Sequence, residues 1–249
     1  MCIIAYKAKG IDCPSKEIIK ACFKNNPDGA GVAILRPGSK AVEIHKGFMQ
    51  VGEFCDFVSS AVTAKDIAAY HFRITTSGGT KPQNCHPFPI SDKVEDLQAL
   101  SINARYAFVH NGIIGKGTET LSDTQLYIKN TLAKLRIQSL TKELESRIAK
   151  ETEGSRTLTI DARYHRVIKT GTWVEHEESG LLFSNRSYAP SYYDGFHYND
   201  IFNDLPLEAS CPNCAALDAD LISDFHGLYE CPYCNCLFDD KKNVWALGD

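Results

Sequence analysis

Apolar and polar positions along the chain follow two periods, one near two residues and one near 3.6, and their succession predicts the elements. Residues 2 to 7 form a short apolar run that predicts a buried strand. Residues 15 to 24 predict a short helix, and Gly31 to Leu35 with Ala41 to His45 predict a strand pair around Pro37-Gly38. Val51 to Val62 has helical spacing, and Ile67 to Phe72 reads as a strand running into Arg73. A long loop rich in Thr, Ser, Gly and Pro follows, and loops held on a rigid scaffold commonly carry binding and catalytic residues.

Ala107 to Ile114 is a further apolar strand, broken by the polar triplet His110-Asn111-Gly112. Ser122 is a natural cap for a helix carrying Leu126, Ile128, Leu132 and Leu135, and a second helix covers roughly residues 139 to 150. Arg156 to Ile160, Arg163 to Lys169, Thr172 to Glu175 and Leu181 to Phe183 predict a meander. Strands, then helices, then strands again imply a layered α+β domain over residues 1–185. Residues 186–210, rich in Tyr, Asp, Asn and Pro without a sustained period, read as a linker, and residues 211–249 as a small module organised by cysteines.

Composition narrows the class. Hydrophobic residues make up 43% and charged residues 23%, the balance of a globular protein. The N-terminal apolar run stops at Lys7, far short of a signal-peptide core or a membrane span, so a cytoplasmic protein without membrane attachment is expected. Ten cysteines in a chain of this size, with no export signal, point to metal binding or nucleophilic chemistry rather than a disulfide framework. The formal charge is −4, and residues 194–249 hold eleven acidic side chains against Lys241 and Lys242, which argues against a nucleic-acid partner.

Several motifs share one order. Met1-Cys2 is followed by Asn25-Asn26-Pro27-Asp28-Gly29-Ala30-Gly31, by the segment from His71 to Phe88, by Val109-His110-Asn111-Gly112-Ile113-Ile114, and by Ser122-Asp123-Thr124. In that order and at those distances the set resembles the class II glutamine amidotransferase domain, a member of the N-terminal-nucleophile hydrolases. The resemblance spans roughly residues 2 to 185. It implies a four-layer αββα sandwich, with two antiparallel sheets face to face between helical layers. Three positions depart from the family pattern: Ile3 stands where many relatives have Gly, Ile74 where Trp is usual, and Ser77 where a His is found.

The residue types suit the chemistry the resemblance implies. Once Met1 is removed, Cys2 offers a thiol and an α-amino group on one residue, and an amine of ordinary pKa about 7.7 to 8 can serve as base near neutral pH. The thiolate would attack the side-chain amide of glutamine and form a γ-glutamyl thioester. Asn111 and the Gly112 amide match the family's oxyanion donors. Arg73 matches the arginine that holds the substrate α-carboxylate, with Thr76 assisting, and Asp123 matches the acid paired with the α-ammonium group. Taken singly, Asn111-Gly112 suits an ordinary turn and Asp123 a helix start. His86, before Pro87, reads as loop scaffolding, as do His71 and His110 on their apolar strands.

In the tail, Cys211-Pro-Asn-Cys214 and Cys231-Pro-Tyr-Cys234 lie sixteen residues apart, a spacing that suits a structural tetrahedral zinc site and resembles a zinc ribbon. Cys236 is left over, and Cys13, Cys22, Cys55 and Cys85 read as packing or incidental thiols. The resemblance implies a glutaminase, and because no phosphate loop follows residue 185 its ammonia is expected to go to a synthetase on another chain. Two alternatives stand beside it: a stand-alone hydrolase of a γ-glutamyl or other linear amide, and a non-catalytic glutamine sensor or zinc-organised adaptor.

Overall fold

A computed structural model describes residues 2–75, 79–186 and 188, together with four strand backbones between 220 and 246. The chain divides into two compact units, Met1–Pro190 and Ser191–Asp249. The first unit is mixed α+β, and all its described strand pairs are antiparallel. Among the described residues, no helix is long and apolar enough to cross a membrane.

A seven-stranded sheet is built from β1 (Ile3–Lys7), β2 (Ala30–Leu35), β3 (Val42–Phe48), β4 (Ile67–Phe72), β6 (Ser101–Ala104), β10 (Val174–His176) and β11 (Leu181–Phe183). Its order is β10-β11-β1-β4-β2-β3-β6. A four-stranded sheet contains β5 (Phe88–Pro89), β7 (Tyr106–Asn111), β8 (Arg156–Asp161) and β9 (Arg166–Thr170), in the order β5-β7-β8-β9.

Alternation along the strands sorts the apolar side chains into three clusters. Ile3, Val32, Ile34, Tyr70 and Phe72, from one face of the large sheet, pack with Ile19, Cys22 and Phe23 of α1 (Lys16–Asn25) and Phe54 and Val58 of α2 (Val51–Ala61). Ile4, Ala33, Leu35, Ile44 and Ala69, from its other face, join Ala107, Val109, Leu158 and Ile160 of the small sheet. Phe108 and Ile168 then pack with Tyr127, Ile128, Leu132 and Ile148. Central strands such as β2 are therefore covered on both faces, which is why Ala30–Leu35 reads as continuously apolar. Each fully buried Phe or Leu adds about 1.5–3 kcal/mol through lost apolar surface.

Ser15 caps α1 by accepting from the Ile18 amide at 3.3 Å. Ser122 and Gln125 form a reciprocal capping box at the start of α4 (Asp123–Tyr127), while α3 (Val94–Gln98) and α5 (Lys142–Glu151) are the remaining α-helices. The single long helix expected from residue 122 to 135 is instead three short pieces. After α4 the chain widens to a π segment over Ile128–Leu132, tightens to a 3-10 turn over Ala133–Leu135, and stops at Arg136, whose φ is +47°. No Gly or Pro between 123 and 136 marks this change of pitch.

In the second unit, β12 (Asp220–Ser223), β13 (Leu228–Glu230), β14 (Leu237–Asp239) and β15 (Val244–Ala246) form an antiparallel sheet in that order. Cys211, Cys214, Cys231, Cys234 and Cys236 lie outside the described residues, as does most of the expected linker.

Candidate active site

The register of the large sheet builds the site. Ile3 of β1 pairs with Phe72 of β4, so the next residues outward, Cys2 and Arg73, leave the same end of adjacent strands. The Cys2 sulfur sits 3.4 Å from both the Ile74 amide nitrogen and the Ile74 carbonyl oxygen. Burial pushes the Cys2 thiol up, opposed by the Ile74 backbone and the neighbouring Arg73 guanidinium. A base is therefore needed to ionise it, and Met1, whose removal would expose an amine on Cys2, lies outside the described residues.

Arg73 is almost fully buried, and its Nη1 donates to the Gly79 carbonyl at 3.0 Å. Its backbone is fixed on both sides, since its amide donates to Gly29 O at 2.8 Å and its carbonyl accepts from the Asp28 amide at 3.0 Å. The Asp28 carboxylate in turn accepts from the Thr75 amide at 2.7 Å. The Asn25–Gly31 turn is thus a brace for the segment that carries Arg73. Gly29 fits because its φ is +110° and a Cβ there would lie 2.6 Å from the Cys85 sulfur.

Asp123 opens α4, where its carboxylate accepts from the Thr124 amide at 2.8 Å and from the Ile114 amide at 3.0 Å. The Ile114 bond draws the loop after Gly112 toward the helix start. Gly112 follows β7 with φ +152°, and a Cβ would lie 2.6 Å from Ser155 Cβ and nearer still to Ser155 Oγ. Only glycine fits this approach.

Cys2, Arg73, Gly112 and Asp123 all line one cleft, whose wall includes His86 and His110. Asn111 does not line it. Its side chain is buried and its Nδ2 donates to Ser184 Oγ at 2.9 Å, so one of its two amide hydrogens is already engaged. Thr76 lies outside the described residues.

Two residues that sequence reasoning passed over hold the Cys2 strand in place. Ser184 Oγ accepts from the Ile4 amide at 2.8 Å, and the Asn185 side-chain amide donates to the Cys2 carbonyl at 2.8 Å. Both follow β11, whose pairing with β1 is a contact across about 180 residues and leaves no local signal. The histidines form a group of their own. The rings of His71 and His86 are 4.3 Å apart, and His110 Nδ1 meets Thr124 Oγ1 at 2.9 Å. Among the described residues neither nitrogen of His71 or His86 has a hydrogen-bond partner. Burial pulls His71 down to about 3 and His110 to about 4, with His86 also held low, so all three are neutral at pH 7.

A scan against protein-family models and a search of curated proteins found no match for this chain.

Proposed function

We propose that the chain is an N-terminal-nucleophile glutaminase in which Cys2, freed of Met1, hydrolyses glutamine. The observation that carries the reading is the convergence of Cys2, Arg73, Gly112 and Asp123, from four separate segments, on one cleft. A thiol there has a cation and a carboxylate of opposite sign beside it, suited to the two charged ends of an amino acid. The three apolar clusters support a four-layer αββα sandwich for this unit.

In the proposed reaction the α-amine of Cys2 takes the thiol proton, and the sulfur adds to the side-chain amide carbon of glutamine. The Gly112 amide meets the oxyanion, and the Asn111 side chain joins it on turning from Ser184 toward the cleft. As the tetrahedral adduct collapses, the C–N bond breaks and the nitrogen leaves as ammonia with the proton held by the amine. Water, deprotonated by the same amine, then cleaves the thioester to glutamate and restores the thiol. Arg73 holds the α-carboxylate and Asp123 the α-ammonium group, so an amide lacking both charges would bind poorly.

The ammonia acceptor would be activated on another polypeptide. Cys211, Cys214, Cys231 and Cys234 would hold a structural zinc, four thiolates being the donor set for a closed tetrahedral site. By sequence, the second pair falls in the connection between β13 and β14. We read this module as a docking element for the synthetase.

The test combines intact mass with glutamine hydrolysis on one sample. The expected wild-type protein lacks Met1, is alkylated once at the Cys2 sulfur by a γ-glutamyl diazoketone with loss of N2, and releases ammonia and glutamate in equal amounts. Cys2→Ala should lose both adduct and turnover, by at least about a thousandfold in rate. A fully processed wild type that forms neither adduct nor product would overturn the reading.

A further inference from the structure

The net charge of −4 conceals a division between the two units. Residues 1–190 carry 25 Lys and Arg against 20 Asp and Glu, a formal charge of +5, while residues 191–249 carry 2 against 11, a formal charge of −9. The unit that holds Cys2 is therefore basic, and part of its excess is gathered on one surface.

That surface lies at the far end of the small sheet. β7 ends at Asn111, next to Gly112 of the cleft wall, and runs back to Tyr106, about 17 Å away at about 3.4 Å per residue. Three further segments converge there. His165, in the β8–β9 turn, places Nε2 2.9 Å from the Ser39 carbonyl. Tyr106 donates its hydroxyl to the Ile137 carbonyl at 2.9 Å, and Arg105 donates to the Gln138 carbonyl.

Two acids of this end, Asp161 and Glu43, are already engaged. Asp161, with a fully buried side chain, holds Arg105 through two bonds of 3.2 Å, and Glu43 holds Arg36 at 3.0 Å. Lys40, Arg136, Arg163 and Arg166 are exposed and form no ion pair among the described residues. Among them stands Tyr164, 55% exposed, with the guanidinium carbons of Arg163 and Arg105 at 5.4 and 5.7 Å from its ring centre.

We propose that this end of the molecule binds single-stranded nucleic acid, with the four free cations along the phosphates and the Tyr164 ring beneath a base. Exposed cations alone would suit any polyanion. An exposed aromatic ring among them selects a ligand whose own flat rings are accessible, which a single strand offers and an acidic peptide or a duplex does not. The surface is remote from Cys2, so the proposal stands whether or not the chain hydrolyses glutamine.

The test uses the full chain and fluorescence anisotropy with labelled oligo-dT and oligo-U at 50 and 200 mM salt. Saturable binding that weakens with salt is expected. Arg163→Gln with Arg166→Gln should lower the slope of log affinity against log salt by about 1.4, two phosphate contacts at about 0.7 each for single strands. Tyr164→Ala should weaken binding about tenfold with the slope unchanged, and Tyr164→Phe should retain it. Each variant is first shown to melt with the wild type, so that lost binding is not lost folding. Absence of binding to both oligonucleotides at 50 mM salt would overturn the proposal. So would binding indifferent to all three substitutions. Polyglutamate binding as tight as the oligonucleotides, and equally indifferent to Tyr164→Ala, would also overturn it and mark the surface as one for acidic proteins.

Discussion

The two ends of β7 and β8 treat polar groups in opposite ways. At the Asn111 and Arg156 end, side chains are buried and held by several bonds each. Asp123 accepts from two amides, Arg73 is fixed through backbone and side chain, and Gly112 leaves no room for a methyl group. At the Tyr106 and Asp161 end, Arg163, Tyr164 and His165 stand in solvent on the turn between β8 and β9, with Arg166 exposed beside them at the start of β9. The same pair of strands thus offers one pre-organised end, suited to small-molecule chemistry, and one adaptable end, suited to a flexible partner. Burial sets the difference, because a desolvated polar group must be satisfied in place whereas an exposed one has water as an alternative.

The contrast is broken most severely at Gly112. In Gly112→Ala the new methyl would fall on the Ser155 side chain and 3.0 Å from Ser155 Cα, at a φ of +152°. Overpacking and backbone strain together should cost about 3 kcal/mol or more in urea unfolding. Gly115 provides the control, since its φ is +148° and nothing lies within 4 Å of a Cβ there. Gly115→Ala should cost about 1 kcal/mol. Equal losses at the two glycines would show that the approach to Ser155 does not matter.

The next effect is one of pH. His71 has a folded pKa of about 3 against about 6.5 when unfolded, so between those values the unfolded chain binds a proton that the native state refuses. Stability therefore falls as pH drops through this window and is restored above about 6.5, by about 1.4 kcal/mol per pH unit for each such histidine. His110 adds a similar slope from about 6.5 down to about 4. His71→Phe removes the titrating ring and should remove about 2 kcal/mol of the loss between pH 6.5 and 5. Urea midpoints at the two pH values measure this, and an unchanged difference would show that His71 is protonated in the native state.

Much of the site was legible because its residues mark the ends of strongly patterned strands. Arg73 closes β4, Asn111 and Gly112 close β7, and Ser122 caps α4. What escaped was either short or non-local. β5, α3 and β6 are two to five residues long and give no period to count. β3 was expected to stop at His45, yet it continues through Lys46, which is buried. Its ammonium donates to the carbonyls of Leu97 and Gln83 at 2.6 and 3.0 Å and lies 3.9 Å from the centre of the Phe88 ring. A lysine beyond the expected strand end is an inward-facing residue satisfied by loop carbonyls. Ser184 and Asn185 escaped because their partners, Ile4 and Cys2, are joined to them only by sheet pairing. The basic end was hidden by an average, since the acidic residues of 191–249 outweigh the excess in 1–190.

The smallest effect is expected at the adaptable end, and it sharpens the comparison by being small. The Arg163 guanidinium carbon lies 5.4 Å from the Tyr164 ring centre, and both residues are exposed. An exposed cation–π contact is worth about 0.5–1 kcal/mol, and surface substitutions away from caps and cores mostly stay within about 0.5 kcal/mol. Arg163→Ala should therefore lower unfolding stability by about 0.5 kcal/mol, several-fold less than one methyl group at Gly112. The two substitutions also separate by readout. Gly112→Ala should impair both folding and Cys2 acylation, whereas Arg163→Ala should leave acylation and urea midpoint near wild type while weakening oligonucleotide binding at low salt. An Arg163→Ala loss above about 1.5 kcal/mol would mean that the β8–β9 turn is as tightly constrained as the cleft, and the contrast between the two ends would fail.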